Sequence, residues 1–527
     1  MKSRVSLIQL AALLILAACS RSPTSPPAAQ TSLPDGGLHK VNHIIVVMME
    51  NHSFDNYFGA LAFAPGSPYR AAPLGCAEED HSCVDGLACR MDSTGSLVCT
   101  NSNQEDDGTQ VLAFHNPSRC VAPDLGHTWF QSHLEANFND PNATPFDSLN
   151  DGFVRVNDAT RQIDNGVETP TEDQTMGFYN QDDLPFYYDL AQKFAIDDRF
   201  FSSVLGPTFP NRSYLMAATS FGHLTTADVV PPQGSYKPIT GTIFDLLDSR
   251  QVSWADYSQN GHQAGSFRRA SGTATLHLLP LQAFLAEAAG LPGAGALPQV
   301  SFVDPSFGGP DENDEHPPTD IQRGQAFVSR VVNAVRNGPY WKDSVIFIAY
   351  DEHGGFYDHV KPPPARQGSS RTPDGISPGQ CADLSNPPAS LQPGGGAQCA
   401  ATSVLDAQSL CPALKQNSTG PYPEDCASFD QLGFRVPLLV VSPFAKPHYV
   451  SHTIGDHTSL LAFIEERFLS ADALGTSEGG YHGRLHLTRR DQYADTLEDL
   501  FDFENAPSLN TSVGQAQLPA VDCTPAE

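Results

Sequence analysis

Four short apolar runs constrain what this chain can fold into more than anything else in it. They are "HIIVVMM" at 43–49, "VSFV" at 300–303, "SVIFIAY" at 344–350 and "VPLLVVS" at 436–442. They are mostly unalternating, so each predicts a strand buried on both faces rather than one half-exposed to water. Long segments with helical spacing lie between them. In "DIQRGQAFVSRVVNAVRN" at 320–337, Ile321, Phe327, Val331 and Val335 fall roughly on one face. The pattern predicts an α/β fold with a central, mainly parallel sheet flanked by helices. No internal repeat is visible.

The 527 residues suffice for one large domain or two to three ordinary ones. Charged residues make up only 17%, against 43 Pro and 42 Gly, which points to long ordered loops rather than a helical bundle. The formal net charge of −30 repels nucleic acid and argues against a DNA- or RNA-binding role. An anionic substrate would have to be held by local positive charge, such as a metal.

The chain opens "MKSRVSLIQLAALLILAACS": Lys2 and Arg4 precede a short apolar core, Val5 to Ala18, too short for a good membrane span. Leu16-Ala17-Ala18-Cys19 resembles a bacterial lipobox, which implies a signal peptide over 1–18, lipid on Cys19 and an exported protein anchored to a bacterial membrane. Ser20 resembles the second residue of lipoproteins sent to the outer membrane, facing the periplasm or the surface. Residues 19–38 read as a Ser/Pro-rich tether, 39–505 as a single folded domain and 506–527 as a tail. With Cys19 set aside, ten of the 11 cysteines remain: Cys76, Cys83, Cys89, Cys99, Cys120, Cys381, Cys399, Cys411, Cys426 and Cys523. They are enough for five disulfides in an oxidising compartment, and CxxC spacing that would mark a zinc site is absent. Two apparent insertions, 76–120 and 361–432, hold most of them and are expected to be disulfide-pinned.

In a parallel sheet, ligands bind beyond the carboxyl ends of the strands. Glu50 and Asn51 end the first run, Asp351 and Glu352 end the third, and Glu315-His316 lies about a dozen residues past the second. Three carboxylates and an amide oxygen suit a divalent metal, with Ca, Mg, Mn or Fe favoured over Zn. Alternatively, each acid alone is a cap or a solvated loop charge. In "LGPTFPNRSYLMAATS" at 205–220, Thr208 stands where a loop enters a helix. A helix N-terminus favours anions and lowers the pKa of a hydroxyl placed there. Arg212 offers donors for phosphoryl oxygens. The plainer alternative makes Thr208 an N-cap.

"MMENHSFDNYFG", "GPTFPNRSY", "DEHPPTDIQRGQAF", "YDEHGGFYDHV" and "VPLLVVSPFAKPHYVSHTIGDHTSLLAFIEERF" resemble the phosphoesterase family. That family includes bacterial phospholipases C acting on phosphatidylcholine and a respiratory-burst-inhibiting acid phosphatase. The resemblance implies an alkaline-phosphatase-like fold and a hydrolase of phosphoric esters. It further implies that Glu50, Asn51, Asp351 and Glu352 bind metal, together with Thr208 as nucleophile. His127, in "PDLGHTW", and His316 would surround the transferred phosphoryl group, and His359 and His457 also fall in matching motifs. His353 is Asn in some members, so no required role is expected of it. "TFPNR" resembles the sulfatase pattern too, but Thr cannot become formylglycine, which argues against sulfate esters. The substrate would be a phospholipid or a phosphate monoester. The alternatives are a phosphodiester or phosphonate hydrolase, or a non-catalytic surface lipoprotein that binds phosphate compounds or a partner.

Overall fold

The computed structural model describes residues 37–72, 75–121, 124–137, 148–159, 162–164, 167–169, 174–220, 226, 241–266, 276–365, 431–470 and 483–521. Eight strands make one sheet: β1 (His43–Met49), β2 (Ala195–Asp197), β3 (Trp254–Ser258), β4 (Leu278–Pro280), β5 (Val300–Val303), β6 (Ser344–Tyr350), β7 (Leu438–Val441) and β8 (Tyr449–Ser451). Their order is β4-β3-β5-β1-β6-β7-β2-β8. Every neighbouring pair is parallel except the two made by β7. β1 runs between β5 and β6, with Ile45 paired to Ser301 on one side and Ile346 on the other.

No residue of β1 from Ile44 to Met49 is more than 2% exposed, so both faces of the sheet are covered at its centre. That is why the run is apolar without alternation. The helices used below are α1 (Phe54–Phe58), α2 (Trp129–Ala136), α3 (Thr208–Ala217), α4 (Ile321–Arg336) and α5 (His457–Leu469). α3 packs on α5. α4 starts where the Asp320 side chain accepts from the Gln322 backbone N–H, and it buries Ile321, Phe327, Val331 and Val335 among others.

Three predicted strands match the observed ones end to end. The fourth run shrinks to Leu438–Val441 and lies antiparallel to its neighbours. β2, β3 and β8 escape a reading by apolar runs because they are short and carry polar residues inside the sheet, such as the fully buried Asp197 and Asp256, and β4 is only the three residues Leu278–Pro280 at the sheet's edge.

The first insertion is pinned as expected, by Cys76–Cys83 and Cys89–Cys99, and Cys120 is disulfide-bonded too. Cys19, Cys381, Cys399, Cys411, Cys426 and Cys523, the leader, and residues 366–430 of the second insertion lie outside the described residues. Among the described residues, no helix is long and apolar enough to cross a membrane. The segment beyond 505 lies along α4: the carbonyls of Thr511 and Gly514 accept from Arg336 Nε at 2.7 Å and Asn333 Nδ2 at 3.1 Å.

Ile45→Ala removes packing from the centre of this sheet. It is expected to lower unfolding free energy by about 2–5 kcal/mol in a denaturant titration. A loss below about 1 kcal/mol would contradict the central, doubly covered placement of β1.

Candidate active site

Because β1, β5 and β6 are adjacent and parallel, the residues that follow them open on one edge. These are Glu50 and Asn51 after β1, Asp304 after β5, and Asp351 and Glu352 after β6. Glu50 is 7% exposed and Asn51, Asp351 and Glu352 are 0%. The Asn51 backbone N–H donates to Asp351 Oδ1 at 3.3 Å, which joins the two strand ends directly. Asn51 holds this turn with a left-handed backbone, φ 62°, a conformation asparagine tolerates better than most residues. Gly354 and Gly355 complete it, with φ of 63° and 76°. A Cβ on Gly354 would sit 2.2 Å from the Asn51 carbonyl oxygen, and one on Gly355 would sit 2.6 Å from Leu125 Cβ. Only glycine lets the loops at 50–51, 351–355 and 125–127 approach this closely.

Thr208 is the first residue of α3, after Pro207, rather than its N-cap. It is half-buried, and its hydroxyl makes no hydrogen bond to a described residue. Asn211 fixes the approach to it, accepting from Val204 N at 3.0 Å and donating to Gly206 O at 2.8 Å. Gly206 in turn faces the Trp129 ring, which a Cβ would meet at 2.8 Å, so the Thr208 loop packs beside the loop of His127. One turn after Thr208, Arg212 reaches the strand ends. Its Nε lies 2.9 Å from Asp351 Oδ2 and its Nη2 lies 3.0 Å from Glu50 Oε1, with the side chain 2% exposed. Arg212 is therefore spent largely on the carboxylates rather than aimed at open space, and only Nη1 has no partner.

His127 and His316 face one another with ring centroids 6.1 Å apart. Both approach Asp124, at 3.7 Å and 3.8 Å. Burial alone would depress both; Glu352 and Asp124 instead lift His127 to about 9, and Asp124 and Glu50 raise His316. His127 is thus protonated at neutral pH, and His316 is shifted in the same direction. His353 bridges Glu135 Oε2 at 2.7 Å and Glu352 Oε2 at 3.3 Å. No required role is expected of it from the sequence; in the structure it contacts the strand-end Glu352. Asp124, Glu135 and Asn211 carry no signal of their own in the sequence, because each acts through contacts that only the fold creates.

His457 and His359 do not join this group as donors. His457 Nε2 lies 2.9 Å from the Tyr350 carbonyl oxygen and Nδ1 lies 3.2 Å from Ser203 Oγ. Burial lowers it to about 4, so it is neutral and ties the end of β6 to the loop before Thr208. His359 sits in a separate buried ion network, with Nδ1 2.7 Å from Asp55 and Nε2 3.1 Å from Asp85. Arg435 joins the network at 3.0 Å from Asp55 and 2.9 Å from Asp358.

The strand-end acids offer oxygen donors of the kind a divalent metal takes, although Glu50, Asp351 and Glu352 do not bring three ligand atoms within 4.8 Å of one another. Asn51 Oδ1 and Glu352 Oε1 are buried and without a hydrogen-bond partner. Burial, with Glu50 and Glu352 nearby, pushes Asp351 up to about 7 against the pull of Arg212. Buried oxygen donors with too little positive charge among them are what a hard cation satisfies. Asp124, His127 and His316 also offer ligand atoms within 4.8 Å of one another.

The His359 network generates a pH prediction. Burial would lower His359, but Asp55 and Asp85 reverse this and raise it from 6.5 to about 10. A raised folded pKa contributes stability that is full below 6.5, declines above it and is gone beyond about 10. Denaturation midpoints of His359→Asn should therefore fall furthest below wild type under pH 6.5 and converge on it near pH 10; a constant gap would contradict the charged pairing.

The Phosphoesterase family model matches residues 41–469. Non-specific phospholipase C6 of Arabidopsis thaliana is 28% identical over 482 residues, covering 89% of this chain and 73% of that protein. Phospholipase C B of Mycobacterium tuberculosis is 29% identical over 470 residues, covering 82% and 74%. Among solved structures, the lipoteichoic acid synthase LtaP of Listeria monocytogenes aligns over 60% of this chain and 70% of its own, at 11% identity and a TM-score of 0.27, too little to bear on the fold. The match over most of the folded chain places it in the Phosphoesterase family, as a hydrolase acting on phosphoric ester bonds.

Proposed function

We propose that this chain is a metal-dependent phospholipase C that works through a covalent intermediate on Thr208. The observation that carries the reading is the position of Thr208. It stands in the first turn of α3, one turn before the Arg212 that grips both strand-end carboxylates. The phospholipase C names of the relatives favour a phospholipid over a phosphate monoester.

In this reading Glu50, Asn51, Asp351, Glu352 and Thr208 would hold the metal. A bound divalent ion supplies positive charge against the phosphoryl oxygens. Arg212 keeps Glu50 and Asp351 in place, with Nη1 the one nitrogen left to turn toward phosphate. The α3 N-terminus favours the Thr208 alkoxide and the incoming anion. The Thr208 hydroxyl releases its proton to solvent, and its Oγ1–phosphorus bond forms as the bond from phosphorus to the leaving alcohol breaks. His316 or His127 gives the leaving oxygen its proton. Water then attacks phosphorus, its proton passes to the imidazole, and the Thr208 bond breaks with Thr208 reprotonated. The fold follows the alkaline-phosphatase pattern in this account, and export with lipid on Cys19 holds the enzyme at a membrane.

Thr208→Ala is expected to lower kcat roughly 10³-fold or more with the fold intact; normal turnover would sink the assignment. A chelator should abolish activity, and add-back of one of Ca, Mg, Mn or Fe should restore it. Full activity after a complete strip would remove the metal from the account. Turnover of p-nitrophenylphosphorylcholine should exceed that of p-nitrophenyl phosphate. The reverse order would favour a phosphomonoesterase, and no turnover of either with metal present would favour a binding role. Cys19→Ala should move activity from the membrane fraction to the soluble fraction, and unchanged fractionation would remove the anchor.

A further inference from the structure

Glu315 precedes His316, and the two side chains serve opposite sides of the loop. Glu315 is 0% exposed and, like Asn51, has a left-handed backbone, with φ 76°. Three tyrosine hydroxyls donate to its carboxylate: Tyr57 at 2.8 Å, Tyr187 at 2.7 Å, and Tyr350. Tyr57 lies in α1, six residues past Asn51, and Tyr350 is the last residue of β6, next to Asp351. The backbone around Glu315 is tied to the same segment as Tyr57. The Asp314 carbonyl accepts from Glu50 N at 2.9 Å, and the Glu315 carbonyl lies 3.0 Å from His52 Nε2.

Gly324, inside α4, exists to make room for this side chain. A Cβ there would lie 2.1 Å from Glu315 Cγ. Glycine weakens a helix interior, so its presence marks a contact that the fold retains at a cost. A carboxyl group buried among α1, β6 and α4, its pKa pushed up to about 8 by burial, also costs more than an apolar residue would unless its bonds serve a purpose. Two of its three donors sit on the segments that carry Glu50, Asn51, Asp351 and Glu352.

We propose that Glu315 is a positioning residue for phosphoryl transfer. Its tyrosine-held carboxyl group fixes the left-handed turn that presents His316 in register with the ends of β1 and β6. This rests on the reading of His316 as a proton donor. Glu315 touches neither substrate nor metal and acts through His316.

The test is steady-state kinetics of Glu315→Gln and Gly324→Ala in the full chain, each alone and on a His316→Ala background. Glu315→Gln should lower kcat about 10- to 100-fold with KM changed less than about twofold. Gly324→Ala should reproduce that split without altering any acid. On the His316→Ala background, either change should alter kcat by less than about twofold. Wild-type kcat in Glu315→Gln, with His316→Ala impaired, overturns the positioning role and leaves His316 standing. A full additional loss on the His316→Ala background also overturns it, since Glu315 would then act elsewhere. Full activity in His316→Ala removes the donor reading itself and Glu315's route with it. A purely structural acid would lower the unfolding midpoint while sparing kcat at 25 °C. Should Glu315→Gln fail to fold, Tyr187→Phe, which removes one donor, must show the same split at smaller size, and an unchanged kcat there overturns the proposal.

Discussion

The site depends on one buried guanidinium. Arg212 stands between Asp351 and Glu50, at 2.9 Å and 3.0 Å, and thereby fastens α3 to the carboxyl ends of β6 and β1. Breaking a buried pair of this kind costs about 3–5 kcal/mol, because the abandoned charge stays buried. The penalty exceeds what loop or helix propensity supplies at any one position, so the clasp sets where Thr208 stands. It also leaves the cluster short of positive charge: Asp351 is pushed up to about 7 even with Arg212 beside it. The proposed metal would supply the positive charge that these acids lack.

A second guanidinium organises the layer beside the site. Arg435 is fully buried among Asp55 and Asp358, with His359 bridging to Asp85 and Arg199 pairing with Asp85 as well. His359, which falls in one of the matching motifs, is held in this network by Asp55 and Asp85. Asp55 and the aromatics Phe54, Tyr57 and Phe58 are buried residues of α1, and Tyr57 also feeds Glu315. The aromatic-rich stretch after Asn51 packs and braces the loop rather than lining an open pocket.

The centre of the fold was legible because doubly buried strands leave an unmistakable run: β1, β5 and β6 were readable to the residue. The outer strands were not, since β4 and β8 are three residues each and β2 and β3 carry a buried Asp that breaks the apolar run. In the site, Glu50, Asn51, Asp351 and Glu352 were legible as polar pairs closing apolar runs, and the structure brings them to one edge. His127 and His316 fall in the quoted motifs, and the structure sets their rings 6.1 Å apart. Arg212 was recognisable as important, but its partners depend on how α3 lies across the sheet, which no spacing encodes. Asp124, Glu135 and Glu315 are ordinary acids until the fold sets them against His127, His353 and three tyrosines.

The most direct measurement is to trap the intermediate. The enzyme is mixed with p-nitrophenylphosphorylcholine, quenched in acid within the first turnovers, digested and mapped by mass spectrometry. The account predicts a phosphorylcholine adduct on Thr208, appearing with the first release of p-nitrophenol and absent from Thr208→Ala. An adduct on a histidine, or active turnover with an early product burst and no label on Thr208, would contradict it.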